Sequence, residues 1–318
     1  MRFRATAPAP GPAPITVAVC THNRARYLDQ ALQSLWAQTA PSSTFEVLVV
    51  DNASTDDTPG VVERARAAQP NIRYVREDEL GLSNARNRAI AETHTPFIAF
   101  LDDDAIAEPP WVERLVHCFS ALSPRPAAVG GPIHPIWEAP RPPWLPDSLL
   151  GYLTVLERRG SSHLDLSKQF IFGANMAFDR QALVDVGGFS TALGRIGDRL
   201  LSGEEMLLLR QLHARGACGY YDEQASVHHH VAAARLTKEW FYRRIYWDGM
   251  STALINIELQ RLHGMRRAAT ALRDLRSLVV RGRLWQMLPG VGDQSSRFGA
   301  RCRTLAALCR TLGYLRAG

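Results

Sequence analysis

The chain has 318 residues, of which 46% are hydrophobic, and a formal net charge of +6. This length and composition support one large or two modest domains with a real core. They exclude a membrane-spanning chain, since no stretch approaches the roughly 18 consecutive apolar residues of a transmembrane helix. Residues 1–14 lack the apolar core of a secretory signal, and we expect them to form a disordered tail.

Apolar runs alternate with helical patterns in the first hundred residues. The predicted strands are Ile15–Cys20, Phe45–Val50, Ile72–Val75 and Phe97–Leu101. Helical segments follow the first three strands, one with Leu28, Leu32, Leu35 and Trp36 at helical spacing, one from Asp56 to Ala68 and one from Gly81 to Glu92. This alternation predicts βαβ units and a mainly parallel sheet.

The middle of the chain is less regular. Further strands are predicted at Ala127–Ile133, Phe170–Phe178 and Gly219–Val231, and helices at Pro109–Phe119, Asp179–Val186, Ser202–Ala214 and Thr237–Leu262. Five prolines and two tryptophans lie between Pro135 and Pro146, so an irregular loop is expected there.

The last segment is strongly basic. From Arg261 onward there are twelve arginines and two acids, whereas the preceding 260 residues carry a net charge of −4. We predict two basic amphipathic helices, separated near Pro289-Gly290. They would either lie on an anionic membrane surface or pack on the preceding domain, and the pattern leaves both open. Nucleic acid is the less favoured anionic partner.

The five cysteines are scattered, odd in number and without metal-knuckle spacing. Free thiols in a reducing compartment are therefore expected. This favours a cytoplasmic protein, with peripheral attachment to the inner face of the membrane if the basic helices bind lipid.

Polar residues follow three of the predicted strands, as Thr21-His22-Asn23-Arg24, Asp51-Asn52 and Asp102-Asp103-Asp104. Ligands of parallel sheets bind outside the carboxyl ends of the strands, so a nucleotide site is expected here. Three adjacent carboxylates would repel each other, and a divalent cation would relieve that repulsion. The alternatives are a solvated acidic turn before the helix at Pro109 and an Asx turn at Asp51-Asn52.

The helix from Gly81 to Glu92 places Arg86 where it could pair with phosphate or stabilise the acid cluster. The chain has no Walker-type lysine loop and no G-x-G-x-x-G motif, which argues against a kinase and against a dehydrogenase. Phosphates would then be held chiefly through a metal ion.

Seven segments occur in an order and spacing that resemble the family 2 glycosyltransferases of the GT-A fold, over about residues 15–251. They are Thr21–Arg24, Val50–Asp56, Gly81–Asn87, Phe100–Asp104, Gly173–Met176, Gly187–Phe189 and Ser202–Glu205. The resemblance implies an α/β GT-A fold with a Rossmann-like, mainly parallel sheet flanked by helices. Residues 15–260 would form this domain, with a nucleotide-binding half (15–105) and an acceptor half (106–260). Residues 261–318 would be a C-terminal helical extension.

The same resemblance implies an inverting enzyme that uses Mn²⁺ or Mg²⁺. It would transfer a sugar from a nucleotide-diphosphate sugar, usually a UDP sugar, to a saccharide, lipid-linked or other hydroxyl acceptor in bacterial polysaccharide or glycoconjugate synthesis. The implied nucleotide-binding residues are Thr21, His22, Asn23, Arg24, Asp51, Asn52, Arg86 and Asp103. The metal would be bound by Asp104, Asp102 and His229, and the acceptor or sugar by Gly173 and Asn175. From the residues alone, Trp247 could stack on a sugar, although aromatic side chains of amphipathic helices more often belong to the core.

The resemblance assigns the general base to Glu205, with Glu204 second. From the residues alone, Ser202 and Glu205 also fit a capping box at the start of a helix. In the same way His229 also fits a neutral histidine at a sheet edge. A non-catalytic nucleotide-sugar-binding or membrane-recruitment protein and a nucleotidyltransferase remain as alternative functions, although the loop after the first strand lacks the glycines that a nucleotidyltransferase would need.

Overall fold

The computed structural model describes residues 13–69, 71–195, 200–280 and 293–316. The strands in chain order are β1 Ile15–Thr21, β2 Phe45–Asp51, β3 Ile72–Arg76, β4 Phe97–Leu101, β5 Ala105–Ala107, β6 Ala128–Gly130, β7 Ile133–Trp137, β8 Ser162–Leu164, β9 Asn175–Asp179, β10 Gly219–Tyr221 and β11 Val227–Val231. The helices are α1 Ala25–Trp36, α2 Thr58–Ala68, α3 Leu82–Glu92, α4 Trp111–Ala121, α5 Arg180–Val186, α6 Glu204–Ala214, α7 Lys238–Gln260, α8 Gly264–Val280 and α9 Gln294–Arg316.

Strands β1 to β4, from the first hundred residues, form the parallel part of the main sheet, in the order β3-β2-β1-β4. Because side chains alternate along a strand, Val17 and Val19 of β1 enter one core and Ala18 enters the core on the opposite face. Helices cover both faces, which explains why these strands are continuous apolar runs. Thr21 and Asp51 are register partners at the carboxyl ends of β1 and β2. This part of the fold agrees with the sequence-based prediction.

Later strands of the chain add antiparallel pairs, so the main sheet is mixed. Strand β9 lies antiparallel between β4 and β6, followed by β10 and β8. The predicted strand Phe170–Phe178 is too long, because the Asn175 amide donates to the Phe172 carbonyl in a turn and the strand begins only at Asn175.

The predicted strand Ala127–Ile133 contains β6 and only the first residue of β7, and the predicted strand Gly219–Val231 is divided into β10 and β11. The first breaks at Gly131, where a Cβ atom would lie 2.0 Å from the Ala225 carbonyl oxygen. The second breaks at a turn in which the Ala225 amide donates to the Asp222 carbonyl. The later parts, β7 and β11, leave the main sheet and join β5 in a second sheet, ordered β5-β11-β7.

The proline-rich loop also begins later than predicted. Pro135 lies within β7, which is tolerated because β7 is an edge strand of the second sheet.

Helix α9 packs on α7 and buries Phe298, Cys302 and Tyr314. Glycines allow the close approach, since a Cβ atom at Gly249 would lie 2.5 Å from the Cβ of Cys309. Packing on the domain is therefore the correct alternative for α9. The predicted helix break at Pro289-Gly290 lies outside the described residues, as does the predicted tail except for its last two residues. Within the described ranges, no helix has the length and apolar character to cross a membrane.

Candidate active site

A cavity of about 750 Å³ opens at the carboxyl ends of β1 and β4. Its walls come from both halves of the domain. Among the residues that line it are Thr21, His22, Arg24, Asn52, Arg86, Asp102, Asp103, Asp104, Gly173, Glu204, Glu205 and His229. Most of the side chains predicted from the sequence thus face one space.

Asp103 is held by the protein itself. The Thr21 hydroxyl donates to its Oδ2 at 2.7 Å, and Arg24 Nη1 lies 3.2 Å from its Oδ1. Burial raises the pKa of Asp103 to about 7, although Arg24 opposes the shift. Arg24 also donates to Asp104, so it bridges two consecutive acids at the exit of β4.

Asp102, Asp104 and His229 form the candidate metal centre, with one potential ligand atom of each within 4.8 Å of the others. His229 Nε2 lies 3.2 Å from Asp104 Oδ1, and its buried Nδ1 has no hydrogen-bond partner among the described residues. Burial would raise the pKa of Asp104, but His229, Arg24 and Arg235 outweigh it and hold that pKa well below its ordinary value. Two carboxylates and an imidazole are a donor set that suits Mn²⁺.

Of the three consecutive histidines in β11, His229 is the one that lines the cavity. Its neighbours face other partners: His228 Nε2 lies 2.5 Å from Glu108, and His230 Nε2 lies 3.0 Å from Gln30. His229 is 2% exposed and reaches the cavity.

Arg86 on α3 is buried and contacts three acids. Its Nη1 lies 2.9 Å from Glu204 Oε1 and 3.1 Å from Glu205 Oε1, and its Nη2 lies 3.5 Å from Asp102 Oδ1. Burial would lower the pKa of Arg86, but Glu205, Glu204 and Asp102 outweigh it and raise that pKa. Of the two roles predicted for Arg86, the structure shows the contact with the acid cluster, because these carboxylates already use its donors.

Gly173 allows this cluster to form. A Cβ atom there would lie 2.2 Å from Arg86 Nη2 and 2.6 Å from Glu205 Oε1. The glycine predicted to contact acceptor or sugar does line the cavity, and its lack of a side chain leaves room for Arg86 and Glu205 to meet.

Helix α6 begins at Glu204, after Gly203 in the left-handed conformation (φ 91°). The N-cap residue is Gly203 and not Ser202, and the Ser202 amide donates to Ser251 Oγ, so the capping-box alternative for Ser202 and Glu205 is wrong. The Glu204 side chain is 3% exposed, and burial, reinforced by Glu205, raises its pKa to about 7. The Glu205 side chain is 20% exposed and is the more accessible carboxylate of the two.

Four residues predicted for the site do not line the cavity. Asp51 is fully buried and accepts from the Tyr74 hydroxyl at 2.7 Å and from the Ser54 amide at 2.8 Å. Asn23 accepts from the Thr55 amide, which ties the loops after β1 and β2 together. Trp247 lies outside the lining, whereas its neighbour Asp248 is part of it.

Asn175 is the clearest departure from the predicted site. It is 1% exposed and accepts from Trp111 Nε1 at 2.8 Å. Its amide nitrogen donates to the carbonyls of Pro132 and Ala225, at 3.0 and 2.8 Å. Because every polar atom of its side chain is used internally, Asn175 supports the junction of the two sheets and does not contact acceptor.

Sequence reasoning missed several lining residues. They are Tyr152, Arg195, Arg235, Trp240, Arg244 and Asp248. No local motif marks them, because they reach the cavity only through the packing of α7 and the preceding loops.

The family model for Glycosyl transferase family 2 matches residues 16–187. The chain belongs to the family 2 glycosyltransferases. It is 27% identical over 245 residues to the glucosyl-dolichyl phosphate glucuronosyltransferase of Haloferax volcanii, covering 76% of this chain and 77% of that protein. It is 28% identical over 261 residues to a succinoglycan biosynthesis protein of Rhizobium meliloti, covering 79% and 77%.

Solved structures share the GT-A fold of this glycosyltransferase. A mannosyltransferase from Pyrobaculum calidifontis, in complex with GDP-Man and Mn²⁺, matches 98% of this chain and 90% of its own, with a TM-score of 0.62 and 20% identity. The TarS protein of Staphylococcus aureus, residues 1–349 with UDP-GlcNAc, matches 76% of this chain and 66% of its own, with a TM-score of 0.55 and 18% identity. The predicted family, fold class and enzyme class are confirmed, and the enzyme uses nucleotide-sugar donors.

Proposed function

We propose that this glycosyltransferase moves a sugar from a UDP sugar to a hydroxyl group of a saccharide or lipid-linked acceptor, with inversion at the anomeric carbon. The observation that carries the proposal is that Glu205 and the Asp102–Asp104–His229 cluster line the same cavity. A base for the acceptor and a metal centre for the donor diphosphate would therefore act on one pair of substrates.

The donor would occupy the end of the cavity near β1 and β2. Thr21, His22, Arg24 and Asn52 line that end. Asp103 would accept from ribose hydroxyls. Asp51 would support the donor site indirectly, by holding the loop after β2 through its hydrogen bond from the Ser54 amide. It also accepts from the Tyr74 hydroxyl and does not line the cavity. The base-reading role implied for Asp51 and the nucleotide contact of Asn23 stay predictions.

Asp102, Asp104 and His229 would hold Mn²⁺ or Mg²⁺. When bound, the cation would stabilise the negative charge of the leaving diphosphate. Arg24 and Arg235 contact Asp104 and would bind diphosphate oxygens beside it.

Glu205 would remove the proton from the acceptor hydroxyl, and this oxygen would then attack the anomeric carbon from the face opposite the diphosphate. One displacement of this kind inverts the configuration. Arg86 would position Glu205, and Glu204 would complete the same ion cluster. A general base of this kind contributes about 10²- to 10⁴-fold to rate.

Purified full-length protein with Mn²⁺ is expected to release nucleoside diphosphate from one member of a panel of UDP and GDP sugars. Asp104→Asn should lower that rate at least a hundredfold, because it removes a metal ligand and a partner of two arginines. The matched control is Asp185→Asn on α5, which removes an exposed carboxylate outside the cavity and should change the rate less than twofold. Full turnover by Asp104→Asn would refute the metal assignment, and Mn²⁺-dependent binding without turnover would favour the non-catalytic alternative.

We also propose that α8 binds an anionic membrane surface. Leu272, Leu275 and Val279 recur at helical spacing and are 67%, 41% and 58% exposed, so they form one apolar face. Arg266, Arg273 and Arg276 are exposed on the same helix. Exposed apolar side chains beside cations complement the surface of a bilayer that contains anionic lipid.

The full chain is expected to co-sediment at least tenfold better with phosphatidylglycerol-containing vesicles than with phosphatidylcholine vesicles, and less well at high salt. The double variant Leu272→Ser/Val279→Ser should lose most of this binding, whereas Val184→Ser, an exposed valine on α5, should keep it. Equal binding to both vesicle types, or full binding by the double variant, would contradict the proposal.

A further inference from the structure

Three arginines line the part of the cavity formed by α7 and the loops before it. They are Arg195, Arg235 and Arg244. Arg235 lies 3.8 Å from Asp104 and belongs with the donor diphosphate. Arg244 and Arg195 have no such assignment.

Arg244 on α7 is a largely buried cation with an unused donor. Its side chain is 13% exposed, and its Nη1 lies 3.9 Å from Oδ1 of Asp248, four residues later, which is beyond hydrogen-bond distance. This Nη1 has no hydrogen-bond partner among the described residues. The guanidinium also stacks over Tyr152, 5.6 Å from the ring centroid. An unsatisfied buried donor of a charged group costs free energy, which a ligand that accepts the bond would recover.

A second cation acts on Arg244. Burial lowers the pKa of Arg244, Asp248 opposes that shift, and Arg195 adds to it. Arg195 and Arg244 line the same cavity and repel each other, and bound negative charge would relieve that repulsion.

The position of Arg244 relates it to the acceptor. It shares the cavity with Glu205, and Glu204 is near enough to influence its pKa. The donor contacts, in contrast, are made around Asp104 by Arg24 and Arg235. An acceptor whose hydroxyl lies at Glu205 would thus present its remaining groups toward Arg244.

We propose that the acceptor carries a phosphate group and that Arg244, assisted by Arg195, binds it. Guanidinium groups match phosphate oxygens through paired donors, and two neighbouring cations suit a phosphate better than a neutral sugar. The phosphate would belong either to a lipid carrier or to a water-soluble sugar phosphate. This inference rests on the proposed function, because it assigns the Glu205 end of the cavity to the acceptor.

The test is calorimetric titration of full-length protein saturated with Mn²⁺ and UDP, so that the donor end is filled. Geranyl phosphate is compared with geraniol, and glucose 1-phosphate with glucose. In at least one pair the phosphate is expected to bind at least tenfold more tightly than its neutral counterpart. Discrimination in the first pair alone indicates a lipid phosphate, and in the second pair a soluble one.

Arg244→Gln should reduce this discrimination to less than twofold without changing the affinity for UDP and Mn²⁺. The matched control is Arg243→Gln, which removes the same charge from an exposed neighbour on α7 and should keep the discrimination. Arg244→Lys, which retains the charge, should keep part of it and guards against a variant that merely fails to fold.

Equal binding of phosphate and neutral compounds by the wild type would overturn the inference, and so would full discrimination by a folded Arg244→Gln. Failure of the proposed function would give a different result. The wild-type protein would then not bind UDP in the presence of Mn²⁺, which is measured by calorimetry before the phosphate compounds are added.

Discussion

Glu205→Gln is expected to lower kcat by about two to four orders of magnitude while leaving the affinity for the nucleotide sugar within a few fold. The amide can still accept a hydrogen bond from Arg86 through its carbonyl oxygen, so the cluster keeps its shape. It cannot take up the proton of the acceptor hydroxyl, so the chemical step loses its base. Single-turnover rates with the best donor, together with calorimetric donor binding, separate the two effects.

The matched control is Glu204→Gln, which makes the same chemical change one residue earlier. Its effect on kcat should be within tenfold, because only 3% of the Glu204 side chain is exposed, against 20% for Glu205. Its effect on stability has a defined sign. The pKa of Glu204 is raised to about 7 from 4.5, so the folded protein favours the protonated form.

Relative to an ionised Glu204, the protonated side chain stabilises the folded protein. This stabilisation is fully present below about pH 4.5 and is lost as the pH rises through about 7. Glu204→Gln should therefore remove part of the fall in unfolding free energy between pH 5 and pH 8, measured by urea denaturation of the metal-free protein. A larger kcat loss for Glu204→Gln than for Glu205→Gln would reverse the assignment of the base.

Arg86→Met is expected to destabilise the protein by about 3–5 kcal/mol at pH 8, the cost typical of removing one partner from a buried ion cluster. Arg86 is 2% exposed, and Glu204, Glu205 and Asp102 would be left without their shared cation. The loss should be smaller at pH 5, because Glu204 can then remain protonated. Turnover should also fall, since Glu205 would lose the residue that positions it.

Arg88→Met on the same helix is the control. Arg88 is exposed and pairs with Glu92 one helical turn later. A pair of this kind contributes only about 0.3–0.5 kcal/mol, so this variant should unfold at nearly the same urea concentration as the wild type. If Arg86→Met and Arg88→Met had similar midpoints of urea unfolding, the buried ion cluster would not stabilise the fold.

Much of the active site is predictable from local pattern. Asp102–Asp104 and Thr21–Arg24 follow buried strands, and parallel strands bring their carboxyl ends to one edge. The side-chain alternation of a strand limits which of His228, His229 and His230 can face a cleft, although only the observed register shows that it is His229.

Other assignments depend on contacts between distant segments. Asn175 belongs to a motif of the family, yet its amide joins Trp111, Pro132 and Ala225 rather than substrate. Ser202 and Glu205 have the spacing of a capping box. In the structure, however, Glu205 accepts a hydrogen bond from Arg86, which lies more than a hundred residues earlier. Local pattern could not rank these partners, because the competing hydrogen bonds come from residues far away in the chain.

The sequence alone determined the family resemblance, the alternation of strands and helices in the first half, and the place of the acid triplet at a strand exit. These follow from residue periodicity and short-range motifs. The tertiary structure decided that Asp102 and Asp104 meet His229, that Arg86 links this centre to Glu204 and Glu205, and that α9 packs on α7. It also decided that Arg244 is buried in the cavity. The physical reason is that burial and ion pairing depend on which distant surfaces meet, and local periodicity carries no information on that.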